Sequence, residues 1–217
     1  MILATVITCP QRWDHYRRLL RNFAALNLPF PLRTFQTTEC LGNAFANNNL
    51  NARAALAYAD KHLPTAGWLL YLEDDVVLSP RLAELLPSLV ELGDSQNVDC
   101  WYLCNRKNQV ERQCRMRGLT VNELAYPVFG AHGLLIPKRH LAPMLATHWA
   151  DVSDLAMFAA MKGTPHPDCV HPLPIGCGEG QALRIWQVVD PVLVEHIGVV
   201  STYAPDRIKT LEVNHAA

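Results

Sequence analysis

The run Trp68-Leu69-Leu70-Tyr71-Leu72 is apolar at every position and passes directly into three consecutive acids, Glu73-Asp74-Asp75, before Val76 and Val77 resume it. A strand hydrophobic on alternate residues covers one layer, whereas one hydrophobic throughout is buried on both faces and needs helices on each side of its sheet. The run therefore predicts a central strand over 68–77 in a helix-covered α/β sheet. Adjacent carboxylates repel one another, so the cluster is most easily maintained by a divalent cation or by donors from a bound ligand. A metal-bridged diphosphate meets both needs, and a solvated acidic turn after a strand is the competing reading.

Elsewhere, apolar stretches rich in β-branched residues alternate with stretches of helical period, which is the pattern of an α/β sheet. Ile2 to Thr8 reads as the first strand, ending at Cys9-Pro10. A helix is expected from Trp13 to about Leu26, with Tyr16, Leu19, Leu20 and Phe23 as its buried stripe. A second strand is expected over Leu32 to Thr37, and a second helix over Asn51 to His62 carrying Ala54, Ala55, Ala57 and Tyr58. Ser79 reads as the cap and Pro80 as the first residue of a helix running to Leu92. Val98 to Cys104 reads as strand. The stretch Asn105 to Gly118 holds Arg106, Lys107, Arg112, Arg115 and Arg117 against Glu111, either a solvated face or a receiver of an anionic acceptor. Residues 128–136 look irregular, punctuated by Pro127, Gly130, Gly133 and Pro137. A helix with Leu155, Met157, Phe158 and Met161 begins near Ser153, and Val188 to Ile197 returns to strand.

The 217 residues show no repeat and no linker, so one domain is expected. A formal net charge of -1 gives no global attraction to nucleic acid or anionic lipid. No run approaches the ~20 apolar residues of a membrane span, and the N-terminus reads as a strand and not as a signal peptide. Seven cysteines, an odd number without a Cys-x-x-Cys pair, fit reduced thiols and a cytoplasmic location.

Five segments together resemble the GT-A-fold glycosyltransferases, the nucleotide-sugar-dependent class with a Rossmann-like sheet and an acidic metal motif. They are Thr8-Cys9-Pro10-Gln11-Arg12, Asn48-Asn49-Leu50-Asn51-Ala52-Arg53-Ala54, Leu72-Glu73-Asp74-Asp75-Val76, Asp154-Leu155, and Pro191-Val192-Leu193-Val194-Glu195-His196-Ile197-Gly198-Val199-Val200-Ser201. The last is similar to the closing strand and loop of the N-acetylglucosaminyltransferase IV type. The acidic motif also resembles that of the lipooligosaccharide galactosyltransferases. The resemblance implies a mixed Rossmann-like sheet flanked by helices in a single compact domain over 1–217. Residues 1–104 would form the nucleotide-binding half, and 105–217 the acceptor and metal-closing half.

By the same resemblance Asp75 binds a divalent cation directly and His196 closes its shell, while Glu73 and Asp74 face the ribose. The ion is expected to be Mn²⁺ or Mg²⁺, with an imidazole favouring manganese. Thr8 and Arg12 sit at the carboxyl end of the first strand, where open α/β sheets bind ligands. Arg12 would pair with the diphosphate or cap the base pocket. Asn51 and Arg53 open the second helix, whose N-terminus favours anions; a plain helix cap is the alternative for the asparagines. The donor so held is a nucleoside diphosphate sugar, expected as a UDP-sugar.

Inverting transfer requires a base to take the proton of the acceptor hydroxyl. Asp154 resembles the aspartate that opens a helix beside the acceptor in related inverting enzymes, a plain N-cap being the alternative, with Asp151 and Glu179 in reserve. Gly130-Ala131-His132-Gly133 would let backbone approach the donor sugar or form an irregular strand. His166-Pro167-Asp168-Cys169-Val170-His171 lacks zinc-ligand spacing. Gly176-Cys177-Gly178-Glu179-Gly180 lacks the lysine of a P-loop and reads as a loop over the site. The acceptor is a glycan or other hydroxyl compound, with a modified base of DNA as a variant that would use the basic stretch. Two other classes compete: a non-catalytic nucleotide- or glycan-binding module, and a metal-dependent phosphohydrolase or nucleotidyltransferase, which leaves the His196 segment unexplained.

Overall fold

The computed structural model describes residues 1–36, 44–125, 130–147, 149, 153–162 and 183–197. The central run behaves as its composition demands: Trp68, Leu69, Leu70, Tyr71 and Leu72 are all 0% exposed. Strand β3 nevertheless ends at Glu73 (Trp68–Glu73), and Asp74 and Asp75 form a turn, so a single strand over 68–77 is corrected. The buried carboxylates are turned toward basic partners, and Val76–Leu78 leaves the main sheet as β4.

On one side of β3 lies the parallel strand β1 (Ile2–Ile7), itself paired in parallel with β2 (Leu32–Phe35). On the other lies β8 (Gly133–Pro137), antiparallel to β3. The remaining strands are β5 (Cys100–Tyr102), β6 (Val110–Met116), β7 (Leu119–Leu124) and β9 (Ile185–Asp190). The eight-stranded sheet runs β2-β1-β3-β8-β5-β9-β7-β6, and β10 (Val194–His196) forms a separate pair with β4. Residues 128–136, expected to be irregular, thus include the first four residues of the wholly buried strand β8. The expected strand over 188–197 is two strands in two sheets. The basic stretch 105–118 supplies β6 and its turn into β7, where Arg117 (φ 46) and Gly118 (φ 81) take the left-handed conformations of a tight hairpin.

Helices α1 (Trp13–Ala25), α2 (Ala44–His62), α3 (Arg81–Gln96), α4 (Leu141–Ala146) and α5 (Ser153–Lys162) flank the sheet. Helix α1 buries Tyr16, Leu19 and Phe23, but Leu20 is 37% exposed, because a stripe through 16, 19 and 23 turns position 20 to the side. Helix α2 starts at Ala44 and not at Asn51, and its buried face is Ala52, Ala55, Leu56 and Ala59, with Ala54 and Ala57 outward. Asparagine is a poor helix former, but here tertiary bonds override propensity: buried Asn51 donates Nδ2 to the carbonyl of Thr8 at 3.0 Å. Helix α3 runs past Leu92 and closes on Asn97 in the left-handed region (φ 51), with the Arg81 amide donating to Ser79 Oγ at its start.

Away from the acids, Asp99 ties three segments together. It accepts from His140 Nε2 at 2.9 Å, from Arg139 Nη2 at 3.2 Å and from the Arg184 amide at 2.9 Å. Burial pushes its carboxyl up, but the bonds from His140 and Arg184 outweigh burial and hold it below the usual carboxylate value. A depressed folded-state value means that this stability is present above the unfolded value, near pH 4, and is lost as pH falls through the folded one. Asp99→Ala is therefore expected to lower stability by about 1–2 kcal/mol at pH 7, and the gap to wild type should narrow below about pH 4. Urea melts at pH 7 and pH 3 check this, and a gap that widens in acid would contradict it.

Among the described residues, Cys9, Cys100, Cys104 and Cys114 are free, and no helix is long and apolar enough to cross a membrane.

Candidate active site

Strand register brings four distant segments to one edge of the sheet. Ile7 of β1 lies beside Glu73 of β3, so the residues that follow each strand, Thr8 to Arg12 and Asp74-Asp75, emerge together. Strand β8 runs the opposite way with Gly133 beside Leu72, which puts the preceding His132 at the same edge. In the small sheet His196 pairs with Val76, next to Asp75, and the Ile197 amide donates to the Asp75 carbonyl at 2.8 Å.

The side chains interlock. Thr8 Oγ1 donates to Asp74 Oδ2 at 2.7 Å, and Arg12 places Nε 3.0 Å from Asp74 Oδ1 and an Nη on Asp75 Oδ2. His196 Nε2 is 2.9 Å from the same Asp75 oxygen. His132 Nδ1 is 2.8 Å from Glu73 Oε2 and 4.0 Å from Asp75 Oδ1, and its ring stacks on His196 with centroids 3.9 Å apart. Asp74 and Asp75 are 1% and 2% exposed, so solvent does little to screen this charge.

Burial and the two neighbouring carboxylates push Asp74 up to about 7 against the pull of Arg12 and Thr8. Burial also raises Asp75, but the bond from His196 and the charge of Arg12 outweigh it and hold its carboxyl well below the usual range. Glu73 is raised by burial and lowered more by His132. Arg12 is lowered by burial and raised more by Asp75 and Asp74. The acids therefore divide: Asp75 is held as a carboxylate, and Asp74 is poised near neutrality.

Asp75, His132 and His196 each offer a ligand atom, and these atoms lie within 4.8 Å of one another. The fit to a cation rests on Asp75 Oδ1, which is buried and has no hydrogen-bond donor. An orphaned carboxylate oxygen inside a protein is unfavourable unless a cation or donor meets it. Carboxylate oxygen with imidazole nitrogen suits a divalent first-row metal.

Thr8, Arg12, Asn51, Glu73, Asp74, Asp75 and His196, the residues singled out in the sequence, thus converge. Two expectations are corrected. Asn51 stands inside α2 and not at its N-terminus, and it reaches the site through the Thr8 carbonyl. Arg53 donates to the carbonyls of Thr147 (2.9 Å) and Leu145 (2.7 Å) and lies over the Trp149 ring, tying α2 to α4. Asp154 is the second residue of α5, which packs against α2 and α4. Asp151, Glu179, residues 163–182 and residues 198–217 lie outside the described residues. His132 as a side chain escaped the sequence reading. Its signal was an isolated histidine just before the apolar run Leu134 to Ile136, the mirror of acids placed just after one.

The sequence matches no protein-family model and no curated protein. Among solved structures the chain is similar to a glycosyltransferase involved in the glycosylation of the major capsid of PBCV-1. That match has 13% identity and a TM-score of 0.49, and covers 92% of this chain and 94% of the other. It is also similar to a fragment of TarS from S. aureus, with 12% identity and a TM-score of 0.53, covering 90% of this chain and 60% of the TarS fragment. The likeness to TarS shows the fold alone: a large mixed sheet flanked by helices.

Proposed function

We propose that the protein is a metal-dependent glycosyltransferase that moves a sugar from a nucleoside diphosphate sugar to a hydroxyl acceptor with inversion. The observation that carries the reading is Asp75: a carboxylate at the end of the central strand of a GT-A-like sheet, charged, buried, with one oxygen unpartnered and two imidazoles beside it. Asp75 and His196 would hold the cation, Mn²⁺ or Mg²⁺, which when bound offsets the charge growing on the departing diphosphate. Thr8, Arg12 and Asn51 form the scaffold that fixes Asp74 and leads the donor nucleotide, in this reading a UDP-sugar, to the cluster. Residues 1–104 would supply the nucleotide half, and 105–217 the acceptor side and the metal-closing histidine. Asp154, at the start of α5, is proposed as the base that takes the acceptor proton.

A glycan or other hydroxyl compound is the acceptor that fits. The basic stretch gives a DNA acceptor no support, since Arg112 pairs with Glu123 and Arg117 with Glu91.

The test is a thermal-shift panel of nucleoside diphosphates and their sugars with and without Mn²⁺. A ligand confined to the folded state adds ~2.7 kcal/mol when present at about a hundred times its dissociation constant. A manganese-dependent rise with one nucleotide is expected and would identify the base. No rise with any nucleotide would overturn the reading.

A further inference from the structure

Two arginines stand at the acid cluster, and their surroundings differ. Arg12 is paired with Asp74 and Asp75, so its charge offsets theirs. Arg106, which follows β5, meets no carboxylate within 4.0 Å among the described residues. Its side-chain partner is His132, whose Nε2 lies 3.1 Å from Nη1 of the guanidinium. The other ring nitrogen, Nδ1, faces Glu73 Oε2 at 2.8 Å. A guanidinium only donates and a carboxylate only accepts, so the ring carries its hydrogen on Nδ1 and accepts at Nε2. Glu73, His132 and Arg106 therefore form a directed chain in which the carboxylate fixes the ring and the ring fixes the guanidinium.

The backbone is shaped to this chain. Gly130 has φ +88, and a Cβ there would lie 2.6 Å from Arg106 Nη1 and 3.0 Å from the His132 ring, so the absent side chain is what admits the guanidinium. The Arg106 amide donates to the Cys104 carbonyl at 3.0 Å, and its own carbonyl accepts from buried Gln187 at 2.7 Å. The basic stretch is exposed, and one of its members, Arg106, turns its guanidinium to the site.

A guanidinium held by an imidazole, and not by a counter-ion, keeps its charge for an incoming anion. It stands one imidazole from Asp75, since His132 Nδ1 is 4.0 Å from Asp75 Oδ1. We infer that Arg106 binds the diphosphate of the donor, with His132 and Glu73 as positioning residues that act through it. The inference deepens the transferase reading and rests on it. In transfer, the bond from the anomeric carbon to the diphosphate oxygen breaks with its electron pair passing to that oxygen. The acceptor oxygen bonds the carbon, its proton goes to the base, and the new charge on the diphosphate meets the donors of Arg106. His132 then acts as a positioning residue, with Asp75 and His196 left to the cation.

The experiment is calorimetric titration with inorganic pyrophosphate in excess Mg²⁺, which needs no knowledge of the base, alongside Mn²⁺ alone. Wild type, Arg106→Gln, Arg106→Lys, His132→Leu and the double variant of Arg106→Gln with His132→Leu are compared. Arg106→Gln is expected to weaken pyrophosphate binding about tenfold or more, and Arg106→Lys to recover part of the loss. His132→Leu should weaken it as well, yet add nothing on top of Arg106→Gln, while Mn²⁺ affinity stays within about twofold throughout. Undiminished pyrophosphate binding by Arg106→Gln would overturn the inference alone. So would a loss of Mn²⁺ affinity of about tenfold in His132→Leu, which would make the ring a ligand. Failure of wild type to bind pyrophosphate would overturn the transferase reading and this inference with it.

Discussion

Asp75→Asn is expected to lower the rate of sugar transfer by about a thousandfold or more and to abolish the manganese-dependent gain in melting temperature. Asparagine keeps the shape and one oxygen but removes the charge. Arg12 retains Asp74 as its carboxylate partner and the backbone bond from Ile197 to residue 75 is untouched, so the fold is expected to survive. The loss should therefore fall on the cation and not on the scaffold, which makes kinetics and melting separable. Initial rates of nucleoside diphosphate release, with melts on the same samples, check the prediction. A variant that melts normally, still responds to Mn²⁺ and turns over within about tenfold of wild type would contradict it.

Gly93→Ala is expected to destabilise the protein by about 2–3 kcal/mol, a fall of about 5–10 °C in Tm. On helix propensity alone the change should help, because alanine is favoured over glycine by ~1 kcal/mol inside a helix. Packing decides the sign. A Cβ at Gly93 would lie 2.4 Å from the Trp68 ring and 2.9 Å from Trp101 Nε1. Neither indole can step aside at low cost. Both are 0% exposed, Trp68 Nε1 donates to Asp94 at 3.1 Å, and Trp101 Nε1 donates to the Leu89 carbonyl at 2.9 Å. The glycine lets α3 approach the sheet closely enough for its own backbone and side chains to hold both rings. Thermal and urea melts read the result, and a variant as stable as wild type would show that the helix shifts outward freely.

The parts of this molecule legible in the sequence are those where local pattern and tertiary role coincide. The unbroken apolar run of β3 announced a doubly covered strand, and the spacing of Tyr16, Leu19 and Phe23 announced one face of α1. Where a tertiary bond outweighs local preference, the sequence misleads. The asparagines before Asn51 look like a loop, yet α2 runs through them, with Asn51 bound to Thr8. The break at Asp74-Asp75 was hidden because Val76 and Val77 resume the apolar pattern, although they belong to another sheet.

The acids, Thr8 and Arg12 could be picked out because they lie at strand ends, where ligand sites gather, and His196 because its segment resembles the closing strand of a known family. His132 and Arg106 could not, because their place depends on β8 lying antiparallel beside β3 and on β5 lying beside β8. Strand order is set by packing among distant segments, and no local period encodes it.

In the proposed function Asp75 and His196 hold a divalent cation beside the donor diphosphate. Anomalous scattering at the manganese edge from crystals grown with Mn²⁺ and UDP tests it most directly. One strong peak is expected, bonded to an Asp75 oxygen and a His196 nitrogen, with the diphosphate reaching it from the side of Arg106. Nucleotide present at full occupancy with no peak at Asp75, or with the metal bound elsewhere, would contradict it.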